Sequence, residues 1–268
     1  MQPLLLLPST TSHKNEPLLP TLAIFSRLGL CDLDLNLNHL IERGVTVQDV
    51  QRALRENHQR VWIVSGGWCD FFDEEPKIQA TFTSVARQVA IARALRIFTL
   101  RLFFGRLEYE RYSPGARATI VGNIRHAADA HPDILFVFEN HDGASSHPSV
   151  CREVLESVDR PNVRLNFDPI NFEHRSVGSL QAARELQPLI AHVHLKGYEQ
   201  GGFCEFGVGD VDLMPVLRVL IEGGYRGALT VEYEGPFDRT LRLYESVRRA
   251  RLAVADLLPL PATPPNLF

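Results

Sequence analysis

Four residues in the second half of the chain have the chemistry of cation ligands: Glu139, Asp168, His194 and Glu232. Each falls at the end of a short apolar run, in L-F-V-F-E-N-H, V-R-L-N-F-D, A-H-V-H-L-K-G and A-L-T-V-E-Y-E-G. Three carboxylates and one imidazole suit a hard or borderline divalent ion, Mn²⁺, Mg²⁺, Co²⁺ or Zn²⁺, with Mn²⁺ favoured. With a neutral histidine such a set carries a charge of about −3, and its members repel one another at short range unless a cation sits between them. Taken singly, each residue could equally be a helix cap or a surface ion pair. Their matched position at four consecutive strand ends is what points to one ion.

Further candidates surround these four. Lys196 shares its strand face with His194, two residues further on, and either contacts a substrate oxygen or pairs with Glu199 or Glu234. His192, deeper on the same face, reads as a packed or supporting histidine. His141 stands two residues beyond Glu139 and is a candidate for substrate contact. Arg101 on the fourth strand either grips a substrate carboxylate, orients Glu139 or neutralises the acids. Trp68, just past the third strand, offers an apolar wall for a sugar ring or packs its own loop. Glu234 reads as a carboxylate that supports the ligands.

The elements that must position these residues are legible from apolar runs and helical periodicity. Eight strands are expected over 4–9, 32–38, 60–65, 97–103, 134–140, 163–168, 190–196 and 228–234. Helical stretches lie between them, near 18–28 and over 46–57, 77–95, 115–130, 148–157, 180–189, 212–223 and 239–257. Strands alternating with helices imply βα units and a parallel sheet, and eight of them in about 250 residues imply a closed (β/α)₈ barrel. No G-x-G-x-x-G follows the first strand, which argues against an open dinucleotide-binding sheet. The second strand, C-D-L-D-L-N-L-N, places Leu33, Leu35 and Leu37 on one face and Asp32, Asp34, Asn36 and Asn38 on the other. In a barrel the leucines would pack on helices and the polar face would line the interior. The fold class is therefore α/β: a single (β/α)₈ TIM barrel over 1–257, followed by a proline-rich tail over 258–268.

Composition sets outer limits. The 268 residues are 45% hydrophobic and 22% charged, an ordinary globular balance, with a net charge of −4. That charge offers little attraction to a phosphate backbone, so no nucleic-acid partner is expected. The four cysteines are scattered without a C-x-x-C pair and read as reduced thiols of a cytoplasmic protein. The opening M-Q-P-L-L-L-L-P-S-T-T-S-H-K has no basic region and too short an apolar run for a signal peptide, and no membrane association is expected. A homodimer is the prior for oligomeric state.

The motifs together resemble the xylose-isomerase-like TIM-barrel superfamily, the sugar isomerase/epimerase and endonuclease-IV-like group. V-F-E-N-H-D-G (137–143) and L-N-F-D-P-I-N (165–171) are similar to its strand-five and strand-six motifs. I-A-H-V-H-L-K-G (190–197) resembles its H-V-H-x-K-D, and G-V-G-D-V-D (207–212) with A-L-T-V-E-Y-E (228–234) resembles its last two. The match is dense from about 134 to 235. It implies a single divalent ion held by Glu139, Asp168, His194 and Glu232. In its epimerase branch, Glu139 and Glu232 would also be the catalytic acid and base on opposite sides of the bound carbon. Ketohexose 3-epimerases usually carry a substrate-binding histidine three residues after the strand-six aspartate; Asn171 stands there and is the candidate for substrate contact in its place. They usually carry an arginine where this chain has Gln200, and Gly197 takes a position that is usually acidic. The extra ligands of the endonuclease-IV branch are missing.

An ion touching two adjacent oxygens of a hydroxy-ketone lowers the cost of the enediolate formed when the intervening C–H is removed. The expectation is a divalent-metal-dependent isomerase or epimerase of a small sugar, keto-sugar, keto-acid or sugar acid. The alternative is a metal-dependent dehydratase of the inosose or dehydroshikimate type. An abasic-site nuclease and a non-catalytic barrel rank behind these.

Overall fold

The computed structural model describes residues 4–41 and 44–258. Eight parallel strands carry the architecture: β1 Leu5–Pro8, β2 Asp32–Asn36, β3 Arg60–Ser65, β4 Thr99–Phe103, β5 Leu135–Glu139, β6 Val163–Phe167, β7 Ile190–Leu195 and β10 Ala228–Val231. They hydrogen-bond in the order β1-β10-β7-β6-β5-β4-β3-β2. A bridge between Ser9 and Asp34 brings the two ends of this sheet together. The ring is a (β/α)₈ barrel with helices outside. The main helices are α1 Leu18–Arg27, α3 Val47–Glu56, α4 Ile78–Ala94, α5 Pro114–Ala130, α6 Pro148–Val158, α8 Ser179–Leu186, α9 Met214–Glu222 and α10 Arg239–Leu257, with short turns α2 Asn38–Ile41 and α7 Pro169–Glu173 between them. A small hairpin, β8 Gly197–Glu199 and β9 Gly202–Cys204, follows β7 and has no counterpart in the pattern expected from sequence. From residue 259 the expected proline-rich tail lies outside the described residues. No helix among the described residues is long and apolar enough to cross a membrane.

Local chemistry sets the helix starts. Thr46 accepts from Asp49 N at 3.1 Å, Ser113 from Ala116 N at 3.2 Å with Pro114 in the first turn, and Asp238 from Leu241 N at 3.0 Å. Each satisfies an amide that the helix itself leaves unpaired. Between sheet and helices lies one continuous apolar core, to which β2 contributes Leu33 and Leu35, with Leu37 just past its end, all fully buried.

Inside the barrel the side chains change character along the axis. Leu7, Ile63 and Ala228 form a small apolar cluster with Leu5 and Trp62, separate from the main core. Ser9, Asp34, Ser65, Arg101, Asn166, His192, His194 and Thr230 are buried further along the same strands. Barrels usually fill this interior with branched apolar residues, so a buried polar lining toward the C-terminal ends marks the functional mouth. The expected alternation in β2 holds for Asp34 and Asn36 but not for Asp32. The pairing register shifts between Leu33 and Asp34, and Asp32 is exposed, accepting from Trp62 Nε1 at 2.7 Å. Asn38 has left the strand and opens α2.

Leu35 tests the assignment of the outward face. Leu35→Ala should cost about 2–5 kcal/mol of unfolding free energy, the range for a leucine truncated in a packed core. Urea denaturation measures it, and an effect near zero would show that this face does not carry the core.

Candidate metal centre at the barrel mouth

The register of neighbouring strands brings the four expected ligands together. His194 lies near the end of β7. Glu139 closes β5, while Asp168 and Glu232 follow the last residues of β6 and β10. His194 Nδ1 stands 3.4 Å from Glu232 Oε2, 3.7 Å from Glu139 Oε2 and 4.0 Å from Asp168 Oδ2. All four side chains are buried. Glu139, Asp168 and His194 place one ligand atom each within 4.8 Å of one another, a spread that a single ion can span. His194 Nδ1 and Glu232 Oε1 are buried without a hydrogen-bond partner. The amide of Asn166 lies 3.2 Å from the other ring nitrogen, Nε2. With the amide oxygen turned to the ring, Nε2–H donates and Nδ1 keeps its lone pair for the site. Oxygen donors with one imidazole nitrogen fit a divalent cation.

Two cations and two amides hold the acids in place. Arg101 Nε stands 3.2 Å from Glu139 Oε2, and Arg101 Nη1 donates to the Gly66 carbonyl at 3.3 Å. Lys196 is buried, 2.9 Å from Asp168 Oδ2 and 3.1 Å from Glu234 Oε1, with its ammonium over the Phe203 ring. Of the two partners expected for it, Glu234 is found and Glu199 is not; Asp168 takes that place. Asn171 Nδ2 donates to Glu139 Oε1 at 3.1 Å and to the Asn140 carbonyl at 2.9 Å. Asn140 in turn exchanges two 2.8 Å hydrogen bonds with the Asp168 backbone. Asp168 Oδ1 caps α7, accepting from Ile170 N at 2.9 Å and Asn171 N at 3.1 Å, which leaves Oδ2 for the site.

Burial dominates the protonation chemistry. It raises Glu139, an effect eased by Arg101, and it raises Glu232 well above the usual carboxylate range with help from Glu234. Burial and His192 push His194 well below 6.5, so the ring is neutral and able to ligate. His192, pushed down to about 3 by burial and Arg101, is a neutral packed ring 2.7 Å from Thr230 Oγ1. Burial opposes the charge on Lys196, but Asp168, Glu234, Glu232 and Glu139 hold its pKa well above 10.5. Lys196 and burial act in opposite senses on Glu234, and the lysine wins, setting it at about 2.

The cluster opens into a cleft of about 190 Å³. Trp68, Phe103 and His141 form one wall: the Trp68 and Phe103 rings stack at 4.7 Å, and His141 meets Phe103 edge-on at 5.0 Å. Thr11, Lys14, Asn36, Asn38 and Glu234 form the polar side, while Arg101, Glu139 and Glu232 reach in from below. Of the expected substrate-facing residues, Trp68, His141 and Arg101 therefore line the cleft. Lys196 and Asn171 lie behind it, engaged with the acids. Asp34 is the residue that the expected site left out. Its carboxylate groups with His194 and Glu232 within 4.8 Å, and burial raises it to about 6. Its inward position on β2 was the available signal.

A (β/α)₈ barrel with a carboxylate–histidine cluster at the C-terminal mouth is a class with many chemistries. Within it, the xylose isomerase-like TIM barrel family model matches residues 31–251, and the chain belongs to that family. It is similar to a putative hydroxypyruvate isomerase of Homo sapiens, with 25% identity over 173 residues. That match covers 59% of this chain and 62% of the relative, less than two thirds of its length. Its fold is similar to that of the IOLI protein with a bound zinc atom, at TM-score 0.79 and 18% identity over 96% of this chain and 98% of that one. It is also similar in fold to the probable 3-DHS dehydratase AsbF of Bacillus anthracis, at TM-score 0.77 and 14% identity over 92% and 98% of the two chains.

The Lys196 ammonium is the cation paired with Asp168, while Glu234 also pairs with Lys14 at 3.2 Å. Lys196→Met should destabilise chelator-treated protein by about 3–5 kcal/mol, the cost of leaving a buried charge unpaired. Urea unfolding in excess EDTA reads this directly, and a neutral outcome would mean that the acids are protonated or hydrated instead.

Proposed function

We propose that this protein is a divalent-metal-dependent isomerase or epimerase of a small keto-sugar, keto-acid or sugar acid, working by proton transfer at a carbon beside a carbonyl. The observation that carries this reading is the pair of buried carboxylates, Glu139 and Glu232, on either side of His194 Nδ1 at 3.7 and 3.4 Å, at the floor of one small cleft. Glu139, Asp168, His194 and Glu232 would hold the ion. When bound, it supplies positive charge to the substrate oxygens as the adjacent C–H is lost, and Mn²⁺ suits the oxygen-rich donor set.

The chain's own groups divide the remaining work. Arg101 and Asn171 engage both oxygens of Glu139 and fix its direction. Glu232 Oε1 has no hydrogen-bond partner and, ionised beside a bound cation, would accept a proton from one face of the substrate. Glu139 would serve the other face, so one carboxylate withdraws and the other delivers. The aromatic wall of Trp68, Phe103 and His141 shields one side of the substrate from water, and the Asn36, Asn38 and Thr11 side offers hydrogen bonds to hydroxyls. The cleft is below the roughly 300–1,000 Å³ of pockets for drug-sized ligands, which favours a substrate of few carbons. Similarity to a putative hydroxypyruvate isomerase supports a short keto-acid as the first compound to try.

The test is exchange of substrate C–H hydrogens in D₂O, followed by NMR over a panel of hydroxypyruvate and free ketoses. Exchange should require added Mn²⁺ and stop with EDTA. Glu139→Gln and Glu232→Gln should each lower the rate by about 10²–10⁴, the usual contribution of an acid–base group. A product lighter by one water would reassign the chemistry to dehydration. Absence of exchange across the panel would remove the isomerase reading.

A further inference from the structure

The ligand arc does not stop at β10. Glu232 follows β10, whose neighbour on the far side is β1, and the Pro8–Val231 pairing sets Ser9 beside Glu232. Ser9 in turn bridges to Asp34 on β2. Asp34 and Glu232 thus stand on either side of one serine, a residue too small to keep their carboxylates apart. One oxygen of each, with a nitrogen of His194, falls within 4.8 Å of the others.

Asp34 is fully buried; Arg101 eases its charge from a distance, and Ser65 and Ser9 hydrogen-bond it, but burial still outweighs them. Ser65 Oγ lies 2.9 Å from both of its oxygens, and no lysine or arginine among the described residues forms an ion pair with it. Arg101 is committed to Glu139, and Lys196 to Asp168 and Glu234. Glu232 Oε1, turned toward no donor, and His194 Nδ1, without a hydrogen-bond partner, are two further buried atoms whose chemistry calls for a cation. Asp34, Glu139, Asp168, Glu232 and Glu234 as carboxylates, against Arg101, Lys196 and Lys14, leave two negative charges uncompensated, the charge that one divalent ion supplies.

We infer that Asp34 is a further donor to the divalent ion of the barrel, forming with His194 and Glu232 a second three-donor set that shares His194 with the set made by Glu139 and Asp168. The inference rests on the metal-dependent reading above and extends it to a residue on the opposite side of the barrel seam. An ion held by Asp34, His194 and Glu232 would also tie β2 to β7 and β10, across the seam where Ser9 bridges to Asp34.

Mn²⁺ titration of chelator-stripped protein, with free Mn²⁺ followed by electron paramagnetic resonance, tests this without any substrate. Asp34→Asn keeps the shape of the side chain and should weaken Mn²⁺ binding at least tenfold, as Asp168→Asn should. Thermal melts control for folding. Without metal, Asp34→Asn should melt at or above the wild-type temperature because a buried charge has gone, and it should gain less than wild type when Mn²⁺ is added. Loss of binding in Asp168→Asn alone, with Asp34→Asn at wild-type affinity and wild-type Mn²⁺ stabilisation, would overturn the role of Asp34 while leaving the proposed function standing. Failure of the wild-type protein to bind Mn²⁺ would overturn both.

Discussion

Desolvated negative charge is the constraint to which the rest of the barrel answers. Two unit charges 4 Å apart repel by about 4 kcal/mol even at an effective dielectric of about 20, and here four carboxylates crowd around one neutral histidine. The fold accommodates them by placing a cation against each side of the group. Arg101 rises from the barrel interior to Glu139, and Lys196 lies under Phe203 between Asp168 and Glu234. That arrangement compensates only part of the charge, and the remainder is the charge that a divalent cation at the proposed site would supply.

Backbone groups take up a second share. Asp168 spends one oxygen on the first amides of α7 and keeps the other for the site, so the start of a helix of five residues also sets the direction of a ligand. Asn140 locks the backbone of Asp168 to the end of β5, and Asn171 returns from α7 to Glu139, so two adjacent strand ends are braced by side-chain amides. Gly66 serves Arg101 in a similar way. A Cβ there would come within 2.2 Å of Gln88 Oε1 and 2.8 Å of the Arg101 carbonyl, so only glycine lets β3 and β4 approach closely where the arginine enters the site. Packing of this kind holds the acids and the histidine at fixed distances from one another, which is the usual means by which a site avoids reorganising during reaction.

The ordering of the strands sets Glu139 and Glu232 apart around one small cleft. Glu139 and Glu232 are separated around the ring by β6 and β7, whose contributions, Asp168 and His194, fill the arc between them. The cleft above is bounded by aromatic rings from β3, β4 and β5 on one side and by the β1 and β2 loops on the other. Change in those loops alters what fits without touching the ligands, which is how one barrel family supports isomerisation, epimerisation and dehydration.

Much of this was legible in the order of residues alone. Alternating apolar runs and helical periods specify eight βα units because each element must bury one face, and that requirement is local. The matched strand-end positions of Glu139, Asp168, His194 and Glu232 follow from the same rhythm. Distances across the ring are not local. Lys196 was open between substrate and Glu199 or Glu234, and only the closed barrel put it against Asp168. Asn171, expected at the substrate, is drawn to Glu139 by the way α7 folds back over β5. Asp34 sits more than a hundred residues before the nearest ligand in sequence, and its partnership with Glu232 exists because β1 joins β2 to β10. Sequence determined which side chains face inward, through the two-residue period of a strand. Tertiary structure decided which of them meet, because the register and closure of a barrel depend on packing around the whole ring.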